Sequence, residues 1–159
     1  MSWSASKVFV AAIVDMLGNT SAYDMNTDAF KAALYNDTIT PSQVVTSANS
    51  CYGAGVWTSG SSPNVQDASG WPYAGRSLVT VTLTDYSAAT VKWTAADTVS
   101  ANDATTLSSV YGTLVYNDTM TSPADQGISY HYFSGAQSVT SGRFTIAWHP
   151  TNGIVNIAF

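Results

Sequence analysis

The segment Leu78-Val-Thr-Val-Thr-Leu-Thr84 is the clearest indication of the fold in this sequence. Its apolar residues alternate with threonine, so that Val79, Val81 and Leu83 share one side. Because successive side chains of a β-strand point to opposite faces, this period of two predicts a half-buried strand. Residues 89–94 alternate in the same way and residues 85–88 can turn the chain. The two segments therefore predict a β-hairpin.

The rest of the second half of the chain continues this pattern. Short runs rich in aromatic and β-branched residues, separated by turn residues, predict further strands over residues 110–116, 128–133, 144–148 and 154–159. Upstream, residues 30–35 predict one more. We expect antiparallel strands throughout residues 78–159, because many short strands with turns between them are typical of a sandwich or barrel.

The N-terminal segment, residues 4–18, predicts a helix. Ser4 or Ser6 can cap its start, and Gly18 followed by Asn19 can end it. The residues expected on its buried face follow helical spacing and are Phe9, Ala12, Ile13, Met16 and Leu17. The valines at positions 8, 10 and 14 lie off that face, which leaves a strand open as the alternative.

Residues 38–74 are irregular, with Gly, Ser and Pro throughout, and predict a long loop region with a short helical turn near residues 42–48. The length of 159 residues suits one domain. We therefore expect a single domain over residues 1–159. Its predicted fold class is mainly β, an antiparallel β-sandwich or barrel with an N-terminal α-helix.

The charge of the chain limits its partners. It has ten Asp, no Glu and five basic residues, so 9% of it is charged against roughly 25% in typical domains. Binding to nucleic acid needs clustered Lys and Arg, which five scattered residues and a net charge of −5 do not supply. The longest apolar run, residues 8–14, is shorter than the roughly 20 residues that span a bilayer. We expect neither nucleic acid nor a membrane as a partner.

Catalytic and metal-binding patterns are weak. No nucleophile elbow, P-loop or dinucleotide-binding motif is present, and no spacing selects a carboxylate pair. His131 and His149 fall short of the three protein ligands of a catalytic zinc. Asp24-Met-Asn-Thr-Asp28 imitates the start of a calcium loop, but Ala29 and Tyr35 stand where that loop requires Gly and Glu. We expect no enzyme, no metal site and no cofactor.

Aromatic residues of the loop region are candidates for contact. Trp57, Trp71 and Tyr73 lie among Gly and Ser, where aromatics can stack on sugars or fill a partner's pocket. They can equally cover the end of a sandwich beneath the loop, and the sequence leaves both interpretations open. Cys51, the single cysteine, predicts a buried and inert thiol.

Several segments resemble small structural proteins of tailed bacteriophages. They are Tyr111-Gly-Thr-Leu-Val-Tyr-Asn-Asp118, Ser129-Tyr-His-Tyr-Phe-Ser-Gly-Ala-Gln-Ser-Val139, Gly142-Arg-Phe-Thr-Ile-Ala-Trp-His149 with Gly153-Ile154, Asp28-Ala-Phe-Lys-Ala-Ala-Leu-Tyr35 and Ala95-Ala-Asp-Thr98. The resemblance covers residues 27–159 except 42–72, and its motifs are structural.

The resemblance implies a virion component, most simply a capsid decoration (minor capsid) protein that cements the assembled shell. Its expected partners are the major capsid protein and further copies of itself, as a trimer. It would be made in the host's bacterial cytoplasm and reside on the capsid surface. The alternative is a tail or fibre module that binds host glycan through Trp57, Trp71 and Tyr73. For shell or subunit contact, the candidates are Trp3, Trp57, Trp71 and Tyr73.

Overall fold

The computed structural model describes residues 3–19, 22–86 and 89–158, without the side chains of residues 85 and 86. Strands make up 42% of the chain and helices 9%, which confirms the predicted mainly-β class. All strand pairings described are antiparallel. The arrangement is sandwich-like, and no sheet closes on itself among the described strands.

The helices are α1 (Val10–Gly18) and α2 (Ser47–Ser50). The strands, in chain order, are β1 (Lys7–Val8), β2 (Phe30–Tyr35), β3 (Asn64–Val65), β4 (Arg76–Ser77), β5 (Thr82–Tyr86), β6 (Thr90–Thr94), β7 (Thr98–Val99), β8 (Thr105–Asn117), β9 (Gly127–Gly142), β10 (Thr145–Ile146) and β11 (Val155–Ala158).

The largest sheet forms the centre of the molecule. Its strand order is β1-β9-β8-β2-β3, and β4 also pairs with β2. Strand β2 has the bounds predicted from the sequence, and all its residues except Lys31 are buried. Both faces of β2 are covered, by the 38–74 loop region and by further strands. Continuous apolar runs are typical of strands buried on both sides.

Two smaller sheets complete the fold. The predicted hairpin is confirmed as β5 and β6, with Leu83 opposite Trp93, and β11 adds to β6 as a third strand. Strand β11 corresponds to the predicted segment 154–159, whose last residue lies outside the described residues. The third sheet is the short pair β7 and β10.

The strand predicted over residues 78–84 is partly wrong, because β5 begins at Thr82. Leu78 belongs to the large sheet instead, where its N–H donates to the Phe30 carbonyl at 2.8 Å. Thr80 has a φ of 54°, which breaks the extended chain and directs it to the smaller sheet. The predicted half-buried face is wrong as well, since Val79 and Leu83 are exposed. The predicted turn lies partly at residues 87 and 88, outside the described residues.

The predicted N-terminal helix is confirmed, but its start is wrong. Helix α1 begins at Val10, because Lys7 and Val8 pair with β9 instead. Ser6 does not cap the helix: its Oγ accepts a hydrogen bond from the Tyr132 N–H at 3.0 Å, at the edge of that strand. The helix ends as predicted, with Asn19 in the left-handed conformation at a φ of 50°.

The loop region over residues 38–74 is largely irregular, as predicted. It contains one short helix, α2, and the two-residue strand β3. The helical turn lies a few residues later than expected, where the Oγ1 of Thr46 accepts a hydrogen bond from the Asn49 N–H at 3.3 Å and caps it. The loop therefore has defined anchors on the sheet.

Candidate functional site

The structure corrects three of the four candidate contact residues, because their side chains lie in the core. The exposed fractions of Trp3, Trp57 and Trp71 are 2%, 1% and 0%. Trp3 packs edge-on against Trp57 with ring centroids 5.8 Å apart, and its indole N–H donates to the Asn36 carbonyl at 2.8 Å. Their role in this chain is to hold the N-terminal segment and the loop region on the sheet.

Trp71 fixes the end of the loop region in the same way. Its indole N–H donates to the Ala32 carbonyl in β2 at 3.0 Å, and its ring meets Phe144 edge-on at 5.5 Å. A buried Trp with its one donor satisfied is a stable core residue, since an unpaired donor there would cost free energy. Of the four candidates only Tyr73 is partly exposed.

The surface that the sequence did not predict is the outer side of α1. We call Val10, Val14 and Leu17 the helix stripe, because their i, i+4, i+7 spacing places them in a row. Their exposed fractions are 45%, 58% and 84%. Leu17 was expected on the buried side, and that expectation is wrong. The signal was nonetheless in the sequence: valines at positions 10 and 14 lay off the predicted apolar face, so this helix is apolar almost all round.

The helix stripe carries no charge. The only charged residue of α1 is Asp15, and its side chain forms hydrogen bonds away from the stripe. The Oδ2 of Asp15 accepts hydrogen bonds from the Ser47 hydroxyl at 2.6 Å and from the Gln126 side-chain amide at 2.7 Å. Gln126 is fully buried. These partners lie 32 and 111 residues away in sequence, and they hold the carboxylate against the protein.

A groove of about 160 Å³ lies next to α1, between the helix and the three-stranded sheet. Its lining is entirely apolar and consists of Val8, Ile13, Met16, Met25, Leu83, Val91, Trp93, Ile128, Val155 and Ile157. Uncharged surface therefore continues from the helix toward the sheet. Contiguous exposed apolar surface of this kind marks interaction sites in many proteins.

Burial also changes the protonation of His131 and Cys51. Burial lowers the pKa of His131 to about 4, and its Nε2 lies 3.0 Å from the Ser129 hydroxyl oxygen. Burial, followed by the charge of Asp125, raises the pKa of the Cys51 thiol to about 11. At neutral pH the imidazole is therefore uncharged and the thiol protonated, so Cys51 is a poor nucleophile.

The sequence that imitates a calcium loop forms a turn. The Oδ1 of Asp24 accepts hydrogen bonds from the N–H groups of Asn26 and Thr27 at 2.9 and 3.1 Å, and Asp28 accepts one from Asp24 N–H at 3.0 Å. These carboxylates bind their own backbone, which is the usual role of Asp in turns. Within residues 3–19, 22–86 and 89–158, no cluster of three or more His, Cys or Asp side chains could hold a metal ion.

The described part of the chain contains no helix that is both long and apolar enough to cross a bilayer. Comparison of the chain with models of protein families, with curated proteins and with solved structures gives no match in any of the three. Evidence on function therefore comes from the sequence motifs and from the surfaces described above.

Proposed function

We propose that this protein is a structural component of a tailed-bacteriophage virion that decorates the capsid and stabilises the assembled shell through non-covalent contacts. The observation that supports an assembly role is the helix stripe. Val10, Val14 and Leu17 expose apolar side chains in a row, on a helix whose one charge points elsewhere. The sequence resemblance to phage virion proteins supports the class of assembly.

The size of the helix stripe favours attachment by several copies together. Burying a Val or Leu side chain is worth about 1.5–3 kcal/mol, so three partly exposed ones contribute roughly 3–6 kcal/mol. Association costs about 4 kcal/mol or more in lost freedom, which leaves a single copy bound weakly. Joining copies in a closed trimer makes the later contacts intramolecular, and many weak contacts then sum. The proposed partners are therefore the major capsid protein and two further copies of this chain.

The low charge of the chain suits this role. Of 159 residues only 15 are charged, and among the described residues Lys31 forms an ion pair with Asp118 and Arg143 with Asp103. Interface cores are depleted in charged residues because desolvating a charge costs free energy. A capsid-surface protein that contacts neighbours on several sides benefits from a surface built mainly of neutral hydroxyl and apolar groups.

The glycan-binding alternative loses its proposed sugar contacts. Trp57 and Trp71 are buried, and Tyr73 alone does not form a stacking platform with them. No other described surface favours that function specifically. The tail location remains as an outcome of the experiment below.

The experiment is to determine location and copy number on purified virions by mass spectrometry and electron cryomicroscopy. Capsid decoration predicts hundreds of copies, distributed at the points where capsomers meet. A few copies found only at the tail, or none in the particle, would end the proposal. Adding purified protein to stripped shells provides the surface test: Val14→Asp should lose binding. Val79→Asp, an equally exposed valine outside α1, should retain it.

A further inference from the structure

A second groove, formed by different elements, lies between β9 and β10. It encloses about 300 Å³ and is lined by Phe133, Gln137 and residues 144–147. None of these side chains is charged. The groove shares no lining residue with the apolar groove beside α1, so its properties are independent of the helix stripe and of the proposed virion role.

One wall of this groove is strand β10, which pairs with β7 and has no second strand partner within the described ranges. The Ser100 N–H donates to the Phe144 carbonyl at 2.8 Å, and Ile146 is in register with Thr98. In an antiparallel pair, successive residues direct their peptide groups to opposite sides. The N–H and C=O groups of Thr145 and Ala147 therefore point away from β7, and both residues line the groove. Such an edge is a template for another strand.

The other wall is an irregular part of β9. Tyr132 is opposite Gly112 and Gln137 is opposite Val110, so residues 133–136 bulge out against a single residue of β8. Ser134 and Gly135 have φ values of 60° and 142°. The bulge turns Phe133 and Gln137 toward the groove, and bulges often re-aim side chains in this way next to functional sites.

The side chain of Gln137 already makes the type of contact that a strand would make here. Its Nε2 donates to the carbonyls of Phe133 and Gly135 at 3.3 and 3.5 Å, which are long hydrogen bonds. These carbonyls are satisfied only weakly. In the described structure β9 pairs beyond Tyr132 with β8 alone, since β1 reaches only Ser129 and Tyr130.

We propose that this groove binds an extended, uncharged segment of a partner protein, which adds to the edge of β10 as a strand. Main-chain hydrogen bonds to Thr145 and Ala147 give the affinity, and alternate apolar side chains of the segment pack against Phe133 and Phe144. The charge of the segment follows from the lining: a charged side chain would be desolvated there without a partner. A neutral strand that alternates apolar and polar side chains therefore matches both the edge of β10 and the uncharged lining of the groove.

The test uses a displayed library of random nonapeptides selected on the full chain, followed by amide NMR of the labelled protein with one selected peptide. We expect enrichment of uncharged sequences that alternate apolar and polar residues, with the largest shifts at Thr145 and Ala147. Ala147→Glu should weaken binding at least tenfold, which corresponds to about 1.4 kcal/mol. The charge-matched control Ala48→Glu, on the exposed side of α2, should leave binding unchanged.

Several outcomes would overturn the proposal. These are no enrichment, enrichment of charged peptides, binding that survives Ala147→Glu in a variant with an unchanged melting curve, or an N-methylated peptide that binds as tightly as its parent. The last result would mean that main-chain pairing does not contribute. If the full chain self-associates and Ala147→Glu abolishes this, the occupant is a second copy and a separate partner is excluded.

Discussion

At the scale of single residues, tryptophans that were candidates for contact with a partner are core packing residues. Trp71 combines full burial, a hydrogen bond to Ala32 and an edge-on contact with Phe144. We expect Trp71→Ala to lower the free energy of unfolding by about 3–5 kcal/mol, because it removes a large core side chain and leaves a cavity. Urea denaturation followed by far-UV circular dichroism measures this.

Tyr73 provides the matched control for Trp71. It lies two residues away in the same loop region but is partly exposed. Tyr73→Ala should cost much less, within about 1 kcal/mol, as surface substitutions usually do. Equal effects of the two variants would contradict the assignment of Trp71 to the core.

His131 gives the chain a defined acid sensitivity. Its pKa is about 4 in the folded protein against 6.5 as the reference value, because burial disfavours the charged imidazole. Between these values the unfolded chain binds the proton and the folded chain does not, so stability falls as the pH decreases from about 6.5 to 4. At about 1.4 kcal/mol per unit, the loss is at most about 3.5 kcal/mol.

Unfolding free energies measured across that pH range test this prediction. His131→Gln should flatten the dependence on pH, since it replaces the titrating group by a neutral one. An unchanged slope in the His131 variant would refute the assignment.

At the scale of elements, the segment that predicted the fold also shows the limit of periodicity. The alternation over residues 78–84 correctly predicts extended chain, but it does not reveal that Thr80 divides this chain between two sheets. Leu78 pairs with Phe30, 48 residues away in sequence, and the left-handed Thr80 follows two residues later. Local pattern determines the type of element, whereas long-range pairing determines where it begins.

Replacing Thr80 by Gly should raise the stability of the protein, although substitution by Gly usually lowers it. A β-branched residue in the left-handed region carries a steric cost of roughly 1–2 kcal/mol, which Gly does not have. Part of this gain is offset by the entropy of Gly in the unfolded chain. We expect Thr80→Gly to stabilise the protein slightly, by about 0.5 kcal/mol, and to raise its melting temperature.

Thr82→Gly serves as the comparison for Thr80→Gly. Thr82 lies in β5 opposite Thr94, where Gly weakens a strand by roughly 0.5–1 kcal/mol. The two variants should therefore change the melting temperature in opposite directions. If both lower it by the same amount, Thr80 is not strained.

Turn chemistry was predictable where it is local. The Oδ1 of Asn36 accepts a hydrogen bond from the Thr38 N–H at 2.9 Å, and the Oδ1 of Asn117 accepts one from the Thr119 N–H at 2.9 Å. Asn36 directly follows β2 and Asn117 is the last residue of β8, and each begins a turn with its own side chain, as such residues often do. The strands they end, β2 and β8, pair with each other.

The helix stripe shows why the candidate site was harder to predict than the strands. Helical spacing alone does not show which side of a nearly all-apolar helix faces the protein. In α1 that side depends on the residues that form hydrogen bonds with Asp15. Ser47 and Gln126 supply them from the loop region and from the chain before β9. Conversely, the sequence left two interpretations open for Trp57 and Trp71, because their loop is rich in Gly and Ser, and both side chains are buried where that loop packs on the sheet.

At the scale of the whole molecule, the fold is stabilised mainly by aromatic packing and little by ion pairs. The four largest of its fully buried side chains are tryptophans, and the described residues contain two salt bridges, both partly exposed. Surface ion pairs contribute little to stability, so the core carries most of it. The surface is then free to be nearly neutral, which suits the two uncharged sites, the helix stripe and the groove beside β10.

The helix stripe should also govern assembly in solution. If it forms subunit contacts, the chain should associate as its concentration is raised, with a trimer as the largest species, as sedimentation velocity can measure. Leu17 is the most exposed member of the stripe, and Leu17→Asp replaces its apolar contact by a desolvated charge. Losing about 1.5–3 kcal/mol per contact weakens each one by roughly 10- to 150-fold, so this variant should sediment as a monomer.

The monomeric fold provides the control for this prediction. Because Leu17 contributes little buried area, Leu17→Asp should have the wild-type melting temperature at low protein concentration. An Asp substitution in the core would lower that temperature. Val79→Asp adds the same charge at an exposed valine outside α1 and should leave association intact. A Leu17→Asp protein that still forms trimers would mean that the stripe faces the shell and that subunits join through another surface. A wild-type chain that stays monomeric at all concentrations would mean that any trimer forms only on the capsid.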